Sequence, residues 1–184
     1  MTKNNKYQKK TTTSQPTVNQ LVENKIPSPK STPSYGKWLA VAVLIITLFV
    51  AFSGGFDNQF VDWDDHVYIE NDYLVTQPKG HYGEAFKSHV ALNYHPLTIV
   101  SLMINSATSG ADNPKAFILT NFFLHLFNTL MVFWLIMLLT KRRLIPSFFT
   151  ALLFAIHPMR VESVTWISER KDVLYGLFFI LGCI

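Results

Sequence analysis

The residues best suited to chemistry lie close together in Val61-Asp62-Trp63-Asp64-Asp65-His66, three carboxylates and an imidazole beside an indole. A carboxylate within hydrogen-bond reach of a hydroxyl can take its proton as the oxygen attacks an electrophile. The competing role for such a cluster is a solvated turn or a surface cation site, because aspartates are common in loops for local reasons. A second cluster, Glu169-Arg170-Lys171-Asp172, ends a stretch from His157 in which three cations face three acids. Ionisable groups near membrane depth are functional by default, although these could also neutralise one another as local ion pairs. The six histidines, His66, His81, His89, His95, His125 and His157, show no close metal-ligand spacing. His66 with Asp64 and Asp65 is the one weak candidate for a divalent cation. No glycine-rich phosphate loop is present, so a soluble nucleotide site is not indicated.

The elements that position these groups belong in a membrane. Of the 184 residues, 49% are apolar and only 15% charged, against roughly 25% charged in an ordinary soluble domain. The net charge of +4 does not mark a nucleic-acid binder. Seven of the sixteen cations are lysines in the first 37 positions, facing the single acid Glu23. Residues 1–37 are rich in polar residues and proline, without hydrophobic periodicity, and are expected to form a disordered basic cytoplasmic tail. The 19 uncharged residues from Trp38 to Phe56 match the roughly 20 needed to cross a bilayer. The long leader and the absence of a small-residue cleavage site favour an uncleaved span. One cysteine, Cys183, allows no disulfide within these residues.

A second span of 25 uncharged residues, Ala116 to Thr140, meets Lys141-Arg142-Arg143, which puts its end in the cytoplasm. Asn121, His125 and Asn128 share one face of it and are expected to bind neighbouring helices. Leu97 to Ser109 is apolar for only 13 residues, about 20 Å of helix against a roughly 30 Å hydrocarbon core. Were it to span, the two basic ends would fall on opposite sides. It is therefore expected to lie at the interface as an amphipathic helix, within one external loop over residues 57–115 that holds eight of the twelve acids. A short third span over 144–158 and a fourth over 173–184, cut at the chain end, complete the expected fold. It is all-α and polytopic, with residues 38–184 forming the N-terminal part of a larger membrane domain.

Four motifs then carry a resemblance. They are Trp63-Asp64-Asp65-x-x-Tyr68-Ile69-x-Asn71, Tyr94-His95-Pro96-Leu97-Thr98, the run from Asn113-Pro114 to Leu124-His125, and the long motif from His157 to Leu174. In this order they resemble the membrane half of the transmembrane and tetratricopeptide-repeat O-mannosyltransferases and their bacterial relatives, in the C-type glycosyltransferase superfamily. The resemblance covers roughly Val61 to Gly182, and the last motif is the most specific. It implies an enzyme that moves a mannose-like sugar from a polyprenyl-phosphate carrier to a protein or other hydroxyl acceptor on the external face. Asp64 matches the acidic base of the first loop, with Asp65 beside it. Glu162, Arg170 and Asp172 match donor-site positions, Arg170 as a guanidinium fork for the carrier phosphate and Asp172 as a second acid. His95 and His157 of the two His-Pro motifs are supporting candidates, and His157-Pro158 is expected to end the third helix.

Two departures accompany the resemblance. No period of about 34 residues marks a tetratricopeptide repeat, and the chain is read as an inactive fragment of its parent. Competing readings are a non-catalytic membrane scaffold or anchor, and a transporter whose path is lined by Asn121, His125 and Asn128. The expected partners are the lipid bilayer, a lipid-linked sugar donor and a protein acceptor, with no nucleic acid. The lysine-rich leader and compact loops favour a bacterial inner membrane over an endoplasmic reticulum.

Overall fold

Ala40, Leu44, Leu48 and Phe52 recur every four residues and so share one face of a helix, and all four are buried. They define the packing stripe of α1 (Ser34–Phe52). The rest of its circumference is just as apolar but stays exposed, as at Leu39, Ile46 and Val50, and only 22% of its most apolar window is buried inside the protein. A helix apolar all round and covered by these residues on one stripe alone suits lipid or further helices on the others. The structure, a computed structural model, describes residues 34 to 184. The basic tail expected over residues 1–37 lies outside the described residues except for its last four, which form the first turn of α1. The helix therefore begins before Trp38. It gives way after Phe52 to a 3₁₀ turn at Ser53–Gly55, inside the expected span to Phe56.

The described residues form no β-strand. Two short turns of helix, His66–Glu70 and α2 (Tyr73–Thr76), lead through a 3₁₀ turn at Glu84–Phe86 to α3 (Pro96–Ser109). Then follows α4 (Pro114–Leu139), with proline at its start and the Asn113 side chain accepting from the Ala116 N–H at 3.3 Å. Both α1 and α4 are long and apolar enough to cross a membrane. They run antiparallel, because Ala40 and Leu44 near the start of α1 cluster with Phe133 and Met137 near the end of α4, while Leu48 and Phe52 meet Phe122.

After the basic turn at 141–143 the chain reverses into α5 (Leu144–Ala155), α6 (Arg160–Thr165) and α7 (Arg170–Cys183). The expected third span over 144–158 is thus shorter. Its helix ends at Ala155, and His157-Pro158 stands outside it, as the restriction before proline predicts. The 12 residues of α5 and 14 of α7 rise only about 18 and 21 Å. The loop between α1 and α4 is folded in its own right. Tyr68, Ile69, Leu74, Val75 and Ala85 pack with Ile99, Leu102 and Met103 of α3 over Phe117 and Ile118 of α4. The buried face of α3 thus meets protein, and its only large exposed apolar side chains are Leu97 and Ile104.

Close approaches fix this arrangement. A methyl group added at Gly55 would sit 2.6 Å from Thr165 Cγ2, where α6 crosses the end of α1. One at Gly176 would sit 3.2 Å from Asn128 Nδ2, where α7 lies on α4. We expect Gly55→Ala to destabilise the protein by about 1–3 kcal/mol through overpacking. Adding Thr165→Ser removes the colliding methyl but keeps the hydroxyl, which donates to the Val161 carbonyl at 2.9 Å. It should therefore restore most of the thermal unfolding temperature in detergent, whereas unequal or absent effects would contradict the close crossing.

Candidate functional site

The two aspartates of the acidic motif, adjacent in sequence, have opposite environments. Asp65 is fully buried. Its Oδ2 accepts the Val61 N–H at 2.9 Å, and its Oδ1 accepts the Ser168 N–H at 3.0 Å together with the Ser168 hydroxyl. A carboxylate with three donors can remain buried, and here it pins the loop to the turn between α6 and α7. Asp64 is partly exposed, and its carboxylate forms no hydrogen bond or ion pair with any described residue. The segment from His66 to Glu70 winds as a π-helical turn, a form frequent at functional sites. His66 clamps it by bonding Glu70 on one ring nitrogen and Asp62 on the other. The rings of Trp63 and Trp166 lie 6.1 Å apart, and the Trp166 Nε1–H is buried without a partner.

Asp65, Ser168 and the indole pair thus bring the acidic motif to the 160–172 segment. On that segment Glu162 and Asp172 are both exposed, and Asp172 Oδ2 accepts from the Ser163 hydroxyl at 3.2 Å, joining α6 to α7. His157 is exposed and its Nδ1 accepts the Met159 N–H at 3.3 Å, a turn-capping role.

Arg170 differs from its expected surroundings. It is fully buried, and its Nε donates to Asn121 Oδ1 at 2.7 Å. One terminal nitrogen donates to the Ser101 carbonyl at 3.1 Å and to Asn105 Oδ1 at 2.5 Å, and the other to the Phe117 carbonyl at 2.8 Å. The guanidinium also lies 5.6 Å from the centre of the Phe117 ring. It therefore joins α3, α4 and α7 through neutral oxygens and faces no open surface.

The polar stripe on α4 also turns inward. Asn121 Nδ2 donates to the Trp166 carbonyl at 3.0 Å, His125 Nε2 bonds the Ala155 carbonyl at 2.9 Å, and Asn128 Nδ2 donates to the Val173 carbonyl at 2.8 Å. The first two carbonyls belong to helix ends, where the backbone lacks intrahelical partners. These side chains fasten short helices to α4, as expected of a packing stripe.

The open cation near this site is Lys171, half exposed and paired with Glu169 at 2.7 Å. With His95 it heads a groove of about 360 Å³ walled by Leu97, Leu174 and Phe178. A second hollow of about 340 Å³ shares those three walls and continues along α3 to Ile104. Burial, with the nearby Lys171 charge, pulls the His95 imidazole below its usual range, and its Nε2 is buried without a partner. In the sequence Lys171 stands out only as a member of the 169–172 cluster, with no role of its own. Its signal was position, one residue past Arg170 and so on a different face of the same helix. Among the described residues no group of three or more histidines, cysteines or acids is placed to hold a metal ion. His66 bonds Asp62 and Glu70 rather than converging with Asp64 and Asp65.

The fold and the site define a helical membrane protein with a folded, acid-bearing loop docked beside the ends of its helices. The chain is 32% identical over 177 residues to the human protein O-mannosyl-transferase TMTC4, a match covering 85% of this chain and 23% of that protein. The mouse TMTC4 is 28% identical over 165 residues, covering 79% and 22%, and mouse protein O-mannosyl-transferase TMTC1 is 37% identical over 90 residues, covering 49% and 9%. The chain belongs to this family of transmembrane and tetratricopeptide-repeat O-mannosyltransferases, and it spans less than a quarter of the length of the curated relatives it matches. No family model and no solved structure matches it. The relatives named are mammalian, so the comparison lends the expected bacterial inner membrane no support.

The hydrogen bond to Glu70, then that to Asp62, raises the His66 pKa above its ordinary 6.5. The pair bonds therefore stabilise the loop fully below the unfolded value, and this contribution is lost as pH rises through the raised folded value. Histidine titration by NMR should show His66 as an upward outlier that falls more in Glu70→Gln than in Asp62→Asn. An ordinary value in the parent would contradict the clamp.

Proposed function

We propose that this chain supplies the acceptor-activating face of a polytopic glycosyltransferase, which moves a mannose-like sugar from a polyprenyl-phosphate carrier to a hydroxyl of a protein acceptor. The supporting observation is the asymmetry of the aspartate pair. Asp65 holds the loop and leaves Asp64 with a free carboxylate beside an aromatic pair. In the step, the acceptor hydroxyl gives its proton to Asp64 as its oxygen bonds the anomeric carbon. The bond from that carbon to the carrier phosphate breaks, and the electron pair leaves on the phosphate.

In this reading residues 57–115 face the side of the membrane opposite Lys141 to Arg143, and the short helices α5 and α7 open toward that face. Glu162 and Asp172 stand on the segment that Asp65 grips and are the second acids available to the site. Lys171, at the head of the apolar groove, suits a lipid phosphate, with isoprenoid carbons along Leu97, Leu174 and Phe178. Arg170 acts as a positioning residue beneath it, while His95 holds a neutral ring at the groove mouth. The mammalian relatives are named protein O-mannosyl-transferases, which supports a protein acceptor.

The test is transfer of labelled sugar from a polyprenyl-phosphate donor by the whole protein in membranes. We expect Asp64→Asn to lower kcat by about 10²–10⁴-fold at matched expression and unchanged thermal stability, with Asp62→Asn close to the parent. Equal transfer by Asp64→Asn removes that residue from the mechanism, and no transfer by the parent favours a non-catalytic scaffold.

A further inference from the structure

At the end of the molecule opposite the acidic loop, the start of α1 and the end of α4 lie side by side, and between them opens a groove of about 440 Å³. Val41, Leu130 and Phe133 line it with hydrocarbon, and Trp38 and Trp134, both largely exposed, flank it. Its polar lining residues are Lys37 and Arg142. Neither has an acidic partner among the described residues. No Asp or Glu occurs anywhere between Pro114 and Val161.

The backbone that presents Arg142 is unusual. Lys141 and Arg142 have φ of +54° and +66°, a region that side chains other than glycine seldom occupy. The turn closes through the Arg142 N–H to the Met137 carbonyl at 2.7 Å. It folds the chain back over the end of α4, which places Arg142 among the lining residues. Uncompensated cations above an apolar slot, with indoles at the level where aromatic side chains meet lipid headgroups, complement an amphiphile with an anionic head.

The geometry points to a binding site for an anionic phospholipid of the leaflet at this end, its phosphate between Lys37 and Arg142 and one acyl chain along Val41, Leu130 and Phe133. The site is separate from the acidic loop and does not depend on the transfer reaction. Purified whole protein, probed by native mass spectrometry with phosphatidylglycerol against phosphatidylcholine, should retain phosphatidylglycerol preferentially. Lys37→Gln and Arg142→Gln should each weaken that retention about five-fold, while the distant control Lys79→Gln leaves it unchanged. Brominated acyl chains on phosphatidylglycerol should quench the parent more than Trp38→Phe, which checks the apolar half of the site independently of charge. Equal retention of the two lipids would mean unspecific annular lipid and overturn the proposal. So would a preference that survives both charge substitutions, equal loss in the control, or competition by free glycerol phosphate as strong as by the lipid.

Discussion

The structure depends on one buried cation. Arg170 carries no carboxylate partner, and its charge is balanced instead by oxygens of Ser101, Asn105, Phe117 and Asn121. An ionised group cannot be left in the interior without hydrogen bonds, so the two helices supplying those oxygens, α3 and α4, must keep their positions relative to α7, which carries the guanidinium. α3 belongs to the loop, α4 is a candidate span and α7 follows the last polar segment. Their junction sets where the turn at Ile167–Glu169 emerges, and therefore where Ser168 can meet Asp65. Arginine suits this place because its planar fork reaches several acceptors at once, which an ammonium on a flexible stem cannot do.

This junction also explains how two identical neighbouring side chains come to differ. Ser168 offers a backbone N–H and a hydroxyl at a fixed point, and Asp65 turns inward to take both. Asp64, one residue earlier, stays partly exposed between Trp63 and the His66 clamp. The division of labour follows from chain geometry. The anchoring carboxylate is immobilised by its hydrogen bonds, and the other takes none from the described residues. The fastening of α5 and α6 to α4 follows the same logic, because His125 and Asn121 satisfy carbonyls that short helices leave bare at their ends.

Much of this was legible in the sequence. Charge-free runs located α1 and α4, and the spacing of Asn121, His125 and Asn128 correctly identified an inward-facing stripe. The acidic motif and the 157–174 stretch stand out in the sequence as separate polar clusters, and the bond from Ser168 to Asp65 that joins them spans 103 positions. The role of Arg170 was not legible, because a guanidinium beside Glu169 and Asp172 reads as a surface group. Its true partners are neutral residues from 49 to 69 positions earlier in the chain. The polar pair Ser101 and Asn105, four apart within the short apolar stretch of α3, was the available hint. The length of that stretch against a bilayer says nothing of what its polar face binds. The ends of α1 and α5 shifted for local reasons, namely the serine-glycine turn at 53–55 and the proline at 158.

The central claim is that the protein buries Asp65 as an anchor and leaves Asp64 free. Carbodiimide coupling of a small amine to carboxylates in the folded protein, read residue by residue by mass spectrometry, tests it most directly. The account predicts rapid modification of Asp64, with Asp65 protected until the protein unfolds. Modification of both at similar rates in the folded state, or of Asp65 first, would contradict it.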